Sequence, residues 1–484
     1  MLESIDYKKI FTYFEEISNV PRGSYHNEKI SEYLVRFAKE HDLSYRVDEA
    51  KNVIIKKPAS ADCTNPEPVM LQGHMDMVCV SKDGTHDFEK EGLPLRIEGD
   101  YIYSEGTTLG GDDGIALAYA LAILDSDEYT HPPIEAVFTT DEEVGMDGAS
   151  ALDTSDLKAK RLINMDNEEE GVLLVSCAGG ASVDISFSEK KRKKSGAEII
   201  VEVSGLAGGH SGTEIDKHPL NASILLGRLL FMTWNEHPFQ IISFTGGDKD
   251  NVITSSANVR LLCEGDGTEL AEALRKNAAC VREEICGSEP EAVFTVGEPA
   301  AGSEFCFSED YTKGVLSFLN LVITGVQVMS SDVPGMVESS LNMGVAKTEE
   351  DGMVFAFSLR SQKESYRDYM FRQLETLSTC VMPAGITSSF RVRGEYPAWD
   401  YKRDSVLRDL MAEEFRRVFG REPEVKGIHA GLECGILAKK IPGIDIVSMG
   451  PDIHDIHTVH EKLSISSAKK NFDFVLGVLE KLAK

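Results

Sequence analysis

Long apolar runs are missing from this chain. No stretch of about 18 consecutive apolar residues occurs, so no membrane-spanning helix is expected. Basic residues are scarce. Lys and Arg number 50 against 80 Asp and Glu, a formal net charge of -30, which argues against nucleic acid and anionic membrane surfaces as partners. Most of that acidity reads as solubility, although local clusters of acid remain suited to cations. The nine cysteines are odd in number and scattered, without CxxC spacing, as in a reducing compartment. Cys79, Cys177 and Cys434 sit in apolar or Gly-rich surroundings and read as small core residues, not as catalytic thiols. The opening segment lacks the basic start and continuous apolar run of a signal peptide, so the expected location is cytoplasmic. HExxH and zinc-finger spacings, internal repeats and low-complexity linkers are absent as well.

What is there is a 484-residue chain, 42% hydrophobic, too long for one ordinary core; it predicts a soluble protein of two or three domains. In the first part, helical and strand patterns alternate. Ile10, Phe14 and Ile17 share one helical face, ended by Pro21, and Ile30, Leu34 and Phe37 share another. "PVMLQG", "IEAVFTT" and "RLINM" read as strands, and "GIALAYALAILDSD" as a largely apolar helix beginning near Gly114. Such alternation predicts an α/β domain with a mostly parallel sheet covered by helices. The character changes after "CAGGASVDISFSEKKRKKSG". Strands "AEIIVEVSG" and "GVLSFLNLVITGVQV" then mix with helices such as "HPLNASILLGRLLFMTW", where Pro219 stands near the start. The first pattern resumes near residue 393, with a helix stopped by Gly420 and the strand "GIDIVSMGP" entering a His-rich loop. The predicted organisation is a catalytic domain built from residues 1–181 and 391–484, interrupted by an inserted α+β domain at 182–390.

In an open α/β sheet, sites form beyond the carboxyl ends of the strands. "PVMLQGHMD" places His74 and Asp76 there. A lone histidine after a strand is more often structural. A spacing of two, however, turns both side chains the same way in extended chain, and Asp76 could then orient a ligating imidazole. "GTTLGGDDGIALA" brings Asp112 and Asp113 to a helix start, where one Asp can serve as N-cap and one is left to spare. "VFTTDEEVGMDGAS" brings Asp141, Glu142 and Glu143, whose mutual repulsion a cation would relieve. Neighbouring glutamates also allow one on a metal and one as a proton shuttle. "LINMDNEEEG" brings Asp166, followed by acids that read as a solvated loop. "VSMGPDIHDIHTVHEK" brings His454, His457 and His460, of which one is expected to be a ligand. Two imidazoles and at least three carboxylates from five strand ends have the composition of a site for two divalent metals sharing a bridging carboxylate. Mixed nitrogen and oxygen ligation suits Zn, Mn or Co and disfavours Ca.

The segments "GHMDMV", "TLGGDDGIA", "TTDEEVGMDGA", "LINMDNEEEG", "CAGG", "GLAGGHSGTEI", "HAGLECG" and "GPDIHDIHTVHEKL", in this order, resemble the M20 clan of co-catalytic metallopeptidases. Within it they look closest to the cytosolic nonspecific dipeptidases, also called aminoacyl-histidine dipeptidases, over nearly the whole chain. The resemblance implies a di-metal exopeptidase fold with an inserted lid domain and two divalent ions, Zn2+ or else Mn2+ or Co2+. It implies hydrolysis of unblocked dipeptides, Xaa-His among them, by a bridging hydroxide. By the same resemblance His74 and His457 would each bind one metal, Asp112 would bridge them, and Glu143 and Asp166 would complete the two sets. Asp76 would hold His74, and Glu142 would be the general base. In the lid, His210 would stabilise the oxyanion, and Asn251 and Arg360 would contact the substrate, Arg360 gripping its terminal carboxylate. Glu433 would line the substrate pocket. The relatives imply a homodimer.

Two departures stand out. Asp113 occupies a position where the family has Asn, adding a potential negative charge beside the metals. The final motif reads His457-Thr458-Val459-His460-Glu461 where His-Ser-Pro-Asp-Glu is usual, which makes His454 and His460 rivals to His457. Alternative activities within the clan are aminotripeptidase or N-acyl amino acid deacylase, and outside catalysis a peptide-binding relative.

Overall fold

The structure, a computed structural model, describes residues 2–5 and 7–484. They form two compact units. The first comprises Met1–Cys177, Trp399–Gly427 and Leu432–Lys484, and the second Ala178–Ala398 and Ile428–Gly431.

The first unit is built on an eight-stranded sheet. Across it run Ser44–Val47, Val53–Lys57, Ile134–Thr139, Val69–His74, Arg161–Asn164, Asp445–Ser448, Val172–Cys177 and Glu424–Ile428. The sheet is mixed, not mostly parallel as the alternating pattern predicts. Parallel pairing joins the four central strands from Ile134–Thr139 to Asp445–Ser448. Ser44–Val47, Val53–Lys57 and Val172–Cys177 pair antiparallel with their inner neighbours. The connection from Val47 to Val53 is too short to cross over the sheet, so the chain returns beside itself. The central strands are buried almost throughout, as parallel strands covered on both faces must be.

The helix Gly111–Asp125 is buried from Gly111 through Leu124 and is apolar on every side beyond its first residues. Its regular part follows Asp113, because Asp112 and Asp113 have non-helical dihedrals; the peptide between them is cis. Gly73 allows that helix start to lie against the central strand. A Cβ there would sit 2.5 Å from Asp113 Oδ2 and 2.6 Å from Ala116 Cβ. Gly420 ends the helix Val406–Phe419 in the left-handed conformation that glycine adopts without strain.

The second unit carries a ten-stranded sheet in which the recorded pairings are antiparallel, backed by the helices Ala222–Trp234, Thr268–Ile285, Glu309–Leu321 and Glu364–Cys380. Phe187, Phe318 and Phe355 form an aromatic cluster in its core, with centroids 5.1–5.7 Å apart. The run "GVLSFLNLVITGVQV" is not one strand. Residues through Leu321 belong to the helix Glu309–Leu321, and only Gly325–Met329 is strand. Ser308 caps the helix by accepting from the Tyr311 amide, and buried Tyr311, Val315, Phe318 and Leu319 fall on one helical face. An apolar run of this kind satisfies either period, and the cap upstream decides it. The helix Ala222–Trp234 starts at its cap Asn221, which accepts from the Ser223 and Ile224 amides; Pro219 stands ahead of the cap. Among the described residues no helix is long and apolar enough to cross a membrane.

Candidate metal centre

Four segments leaving the first unit's sheet and one turn at a helix start converge on a small group of side chains. His74 ends its strand fully buried, and its Nε2 lies 3.0 Å from Asp112 Oδ1 and 3.7 Å from Asp166 Oδ1. The other carboxylate oxygen of Asp112 lies 3.2 Å from His457 Nε2, which is 3.0 Å from Glu143 Oε1. Asp112 thus presents one oxygen to each imidazole. Donor atoms of Asp112, Glu143 and His457 fall within 4.8 Å of one another, as do those of His74, Asp113 and Asp166, and of His74, Glu142 and Glu143. His454 and His460 join none of these groups; His454 instead packs against Tyr101, with ring centroids 5.9 Å apart.

Asp76, buried and without exposed surface, organises the neighbourhood. Its Oδ1 lies 3.4 Å from His74 Nδ1 and accepts the Glu142 amide at 3.0 Å, while Oδ2 accepts from Ser24 Oγ at 2.8 Å. The His74 Nδ1 also lies 3.2 Å from the Asp76 carbonyl, so Nε2 is the nitrogen left to face Asp112. Asp141 is diverted from the group: its Oδ1 accepts from the Tyr25 amide and Asn27 Nδ2 at 2.6 and 2.7 Å. That separates the three consecutive acids and leaves Glu142 and Glu143 facing the centre.

The electrostatics point to a demand for positive charge. Hydrogen bonding to Asp112 and Glu143 raises the His457 pKa to about 10. Burial opposes the charged form of His74, yet contacts with Asp112 and Asp76 hold its pKa well above the ordinary value. Burial also opposes ionised Asp112, and the two imidazoles outweigh it and hold that carboxyl low. Burial pushes Asp166 well up, with neighbouring acids adding to it. It pushes Glu142 up to about 8, with Glu433 and Glu143 contributing. Protons on imidazoles hydrogen-bonded to carboxylates stand where cations would relieve the same repulsion. Two imidazoles with clustered carboxylates are a donor set that fits two divalent ions sharing Asp112.

Several sequence readings change here. Asp113 is fully buried, accepts from the His74 amide at 3.2 Å, and is pushed well up by burial. Burial thus works against the negative charge that Asp113 would add beside the metals. Glu168, in the acidic loop, is half-buried, and burial together with Asp112 raises its pKa to about 7, whereas Glu169 is exposed. Glu433 has no exposed surface. Its Oε2 accepts from Gln72 Nε2 at 2.6 Å and Thr139 Oγ1 at 2.7 Å, while Oε1 has no partner among the described residues.

In the second unit, His210 Nδ1 accepts from the Gly212 and Thr213 amides, each at 3.3 Å, which assigns its proton to Nε2. Burial and Arg360 lower its pKa, so the ring is neutral. Arg360 is buried, donates from Nη1 to Tyr396 Oη at 3.0 Å, and has no partner for Nε among the described residues. Asn251 lies in the turn before Val252–Ile253, where its carbonyl accepts from the Ser211 amide at 2.9 Å. The sequence reading missed Ser340 and His429, hydrogen-bonded at 2.7 Å, with Arg360 contributing to the low pKa of His429, about 3. Their pairing across distant chain positions leaves no spacing to read.

A largely buried donor set of this kind near the carboxyl ends of parallel strands, with His457 on its open side, is the arrangement co-catalytic metal hydrolases use. Residues 70–481 match peptidase family M20/M25/M40, and the chain belongs to that family. It is 33% identical over 485 residues to the cytosol non-specific dipeptidase of Escherichia coli K12, covering 99% of both chains. Its structure matches the crystal structure of aminoacylhistidine dipeptidase from Vibrio alginolyticus with a TM-score of 0.92 and 33% identity, again over 99% of both. The aminopeptidase PepT structure from Bacillus cereus shares the fold at a TM-score of 0.57 and 17% identity, over 99% of this chain and 100% of that one.

Proposed function

We propose that this peptidase is a di-metal dipeptidase, cleaving the peptide bond of unblocked dipeptides. The full-length likeness to two dipeptidases supports the substrate class. The observation that carries the chemistry is Asp112, with one carboxylate oxygen on each of two imidazoles. His74 and Asp166 would hold one ion, Glu143 and His457 the other, and Asp112 both. Zn2+ suits the two imidazoles best, with Mn2+ and Co2+ as substitutes. When bound, the ions supply charge that polarises the scissile carbonyl and acidifies the attacking water.

Glu142 takes the proton of that water and returns it to the leaving amine. A carboxylate whose surroundings favour protonation near neutrality is suited to both transfers. His210, neutral with its proton on Nε2, is the donor we propose for the developing oxyanion. Arg360, buried with Nε unengaged, is the proposed grip on the substrate carboxylate, with Asn251 as a further contact. The second unit would serve as the lid domain. A groove of about 790 Å³ beside Glu143, lined in part by Met77, Cys79, His86 and Phe88, offers space for a substrate side chain. Homodimerisation is supported by the exposed Leu321, Ile323, Met329 and Tyr369 of the second unit. A cytoplasmic location is supported by nine free cysteines.

The test is a panel of dipeptides, tripeptides and N-acyl amino acids assayed before and after chelation. Dipeptides should dominate and activity should return with metal. Preference for tripeptides or N-acyl substrates would reject the substrate class. His210→Ala should lower turnover about 10²–10³-fold with metal content unchanged; normal turnover would reject its role.

A further inference from the structure

Arg22 is 2% exposed, and none of its contacts serves the chemistry described above. Its guanidinium reaches two ligand-bearing segments at once. Nη1 donates to the carbonyls of Met75 and Asp76, at 3.0 and 3.1 Å, just past His74. Nη2 donates to the carbonyl of Gly110, two residues before Asp112.

Glu461, also buried, grips the same turn from its amide side. Its Oε2 accepts from Leu109 and Gly110, at 2.8 and 3.0 Å, and Oε1 from Gly111 and Asp112, at 2.8 and 3.4 Å. Glu461 closes the loop that carries His457. The Gly110 residue is therefore held on both faces, its carbonyl by a cation and its amide by an anion.

The glycines of "LGGDDG" follow from this arrangement. Gly110 has a φ of +63°, and a Cβ there would run into Arg22 Nη2; a Cβ on Gly114 would lie 2.7 Å from the same atom. The spacing that reads as a flexible turn is the slot of a buried guanidinium.

We propose that Arg22 and Glu461 are positioning residues that together set the spacing of the two metal positions. Arg22 ties the His74 segment to the Asp112 turn, and Glu461 ties the His457 loop to it. The shared carboxylate is thereby fixed between its two imidazoles by backbone contacts, independently of the ions. Planar donors explain why Arg occupies the position: only a fork reaches three carbonyls on two segments, and a Lys ammonium cannot span them. This inference rests on the two-ion reading.

The experiment uses the full chain, stripped of metal and titrated with Mn2+, for wild type, Arg22→Lys and the isosteric Glu461→Gln. Affinity of both positions is read by calorimetry, the exchange-coupled signal of the Mn2+ pair by electron paramagnetic resonance, and folding by the thermal midpoint of the metal-free proteins. The inference predicts that at least one position loses affinity about 10–100-fold in each variant, the scale for residues behind metal ligands. It also predicts a weakened or altered coupled signal and a fall in kcat larger than any rise in KM. If Arg22→Lys does not fold, Glu461→Gln decides alone. Unchanged affinities and an unchanged coupled signal in a folded variant overturn the inference while leaving the two-ion reading intact. Fewer than two ions on the wild type overturns both.

Discussion

Glu142 and Glu143 are adjacent carboxylates with separate prospects, and the difference lies in what each faces. Glu143 lies 3.0 Å from His457, in the group with Asp112, whereas Glu142 has its pKa raised to about 8 by burial with two acids nearby. Glu142→Gln should therefore keep both metals and lose about 10²–10⁴-fold in turnover, the usual worth of a general base; metal analysis beside a dipeptide assay reads both, and loss of a metal would make Glu142 a ligand instead. At this scale the sequence is informative for residues that follow strands. His74, Glu143, Asp166 and His457 stand out by type and by position after an apolar run, Asp112 by its place in a Gly-rich helix start, and the structure brings them together. It is uninformative for Arg22 and Glu461, which bond main-chain atoms of distant segments and so leave no partner side chain to recognise; glycine spacing is their only trace.

The elements matter through how closely they approach. The start of Gly111–Asp125 reaches the central strand only because residue 73 has no side chain. Gly73→Ala would set a methyl against Asp113 and Ala116, and overpacking of this kind costs about 1–3 kcal/mol. The expected outcome is a lower thermal midpoint together with weaker metal binding, since His74 and the Asp112 turn would be pushed apart; weaker stability with unaltered metal affinity would separate the two effects. Element type is legible where capping and period agree, as in Val406–Phe419 with its Ser405 cap and Gly420 stop. It is easily misread in Glu309–Leu321, where an unbroken apolar run conceals a helical face. Strand direction is misread too, because alternating helices and strands suggest crossovers while Val53–Lys57 returns beside Ser44–Val47 through a short connection and pairs antiparallel with Ile134–Thr139 as well.

For the whole molecule, the acidic centre predicts an opposite pH response with and without metal. In the metal-free protein the His457 pKa is raised from 6.5 to about 10, so its contribution to stability is complete below 6.5 and is lost as pH rises through about 10. The Glu142 pKa is raised from 4.5 to about 8, so ionising it also costs stability as pH rises across that interval. Both slopes have the same sign. The thermal midpoint of chelated protein should fall from pH 6.5 towards 10, whereas metal binding, which requires deprotonated ligands, should strengthen with pH; a chelated protein that gains stability over this window would refute the electrostatic picture. The paired-ion account is tested most directly by metal content per chain, read alongside dipeptide turnover while chelated protein is reloaded stepwise. It predicts turnover that saturates at two ions per chain, and an Asp112→Ala variant that retains neither at the same free-metal concentration. Full turnover with one ion per chain, or two ions held firmly without Asp112, would contradict it.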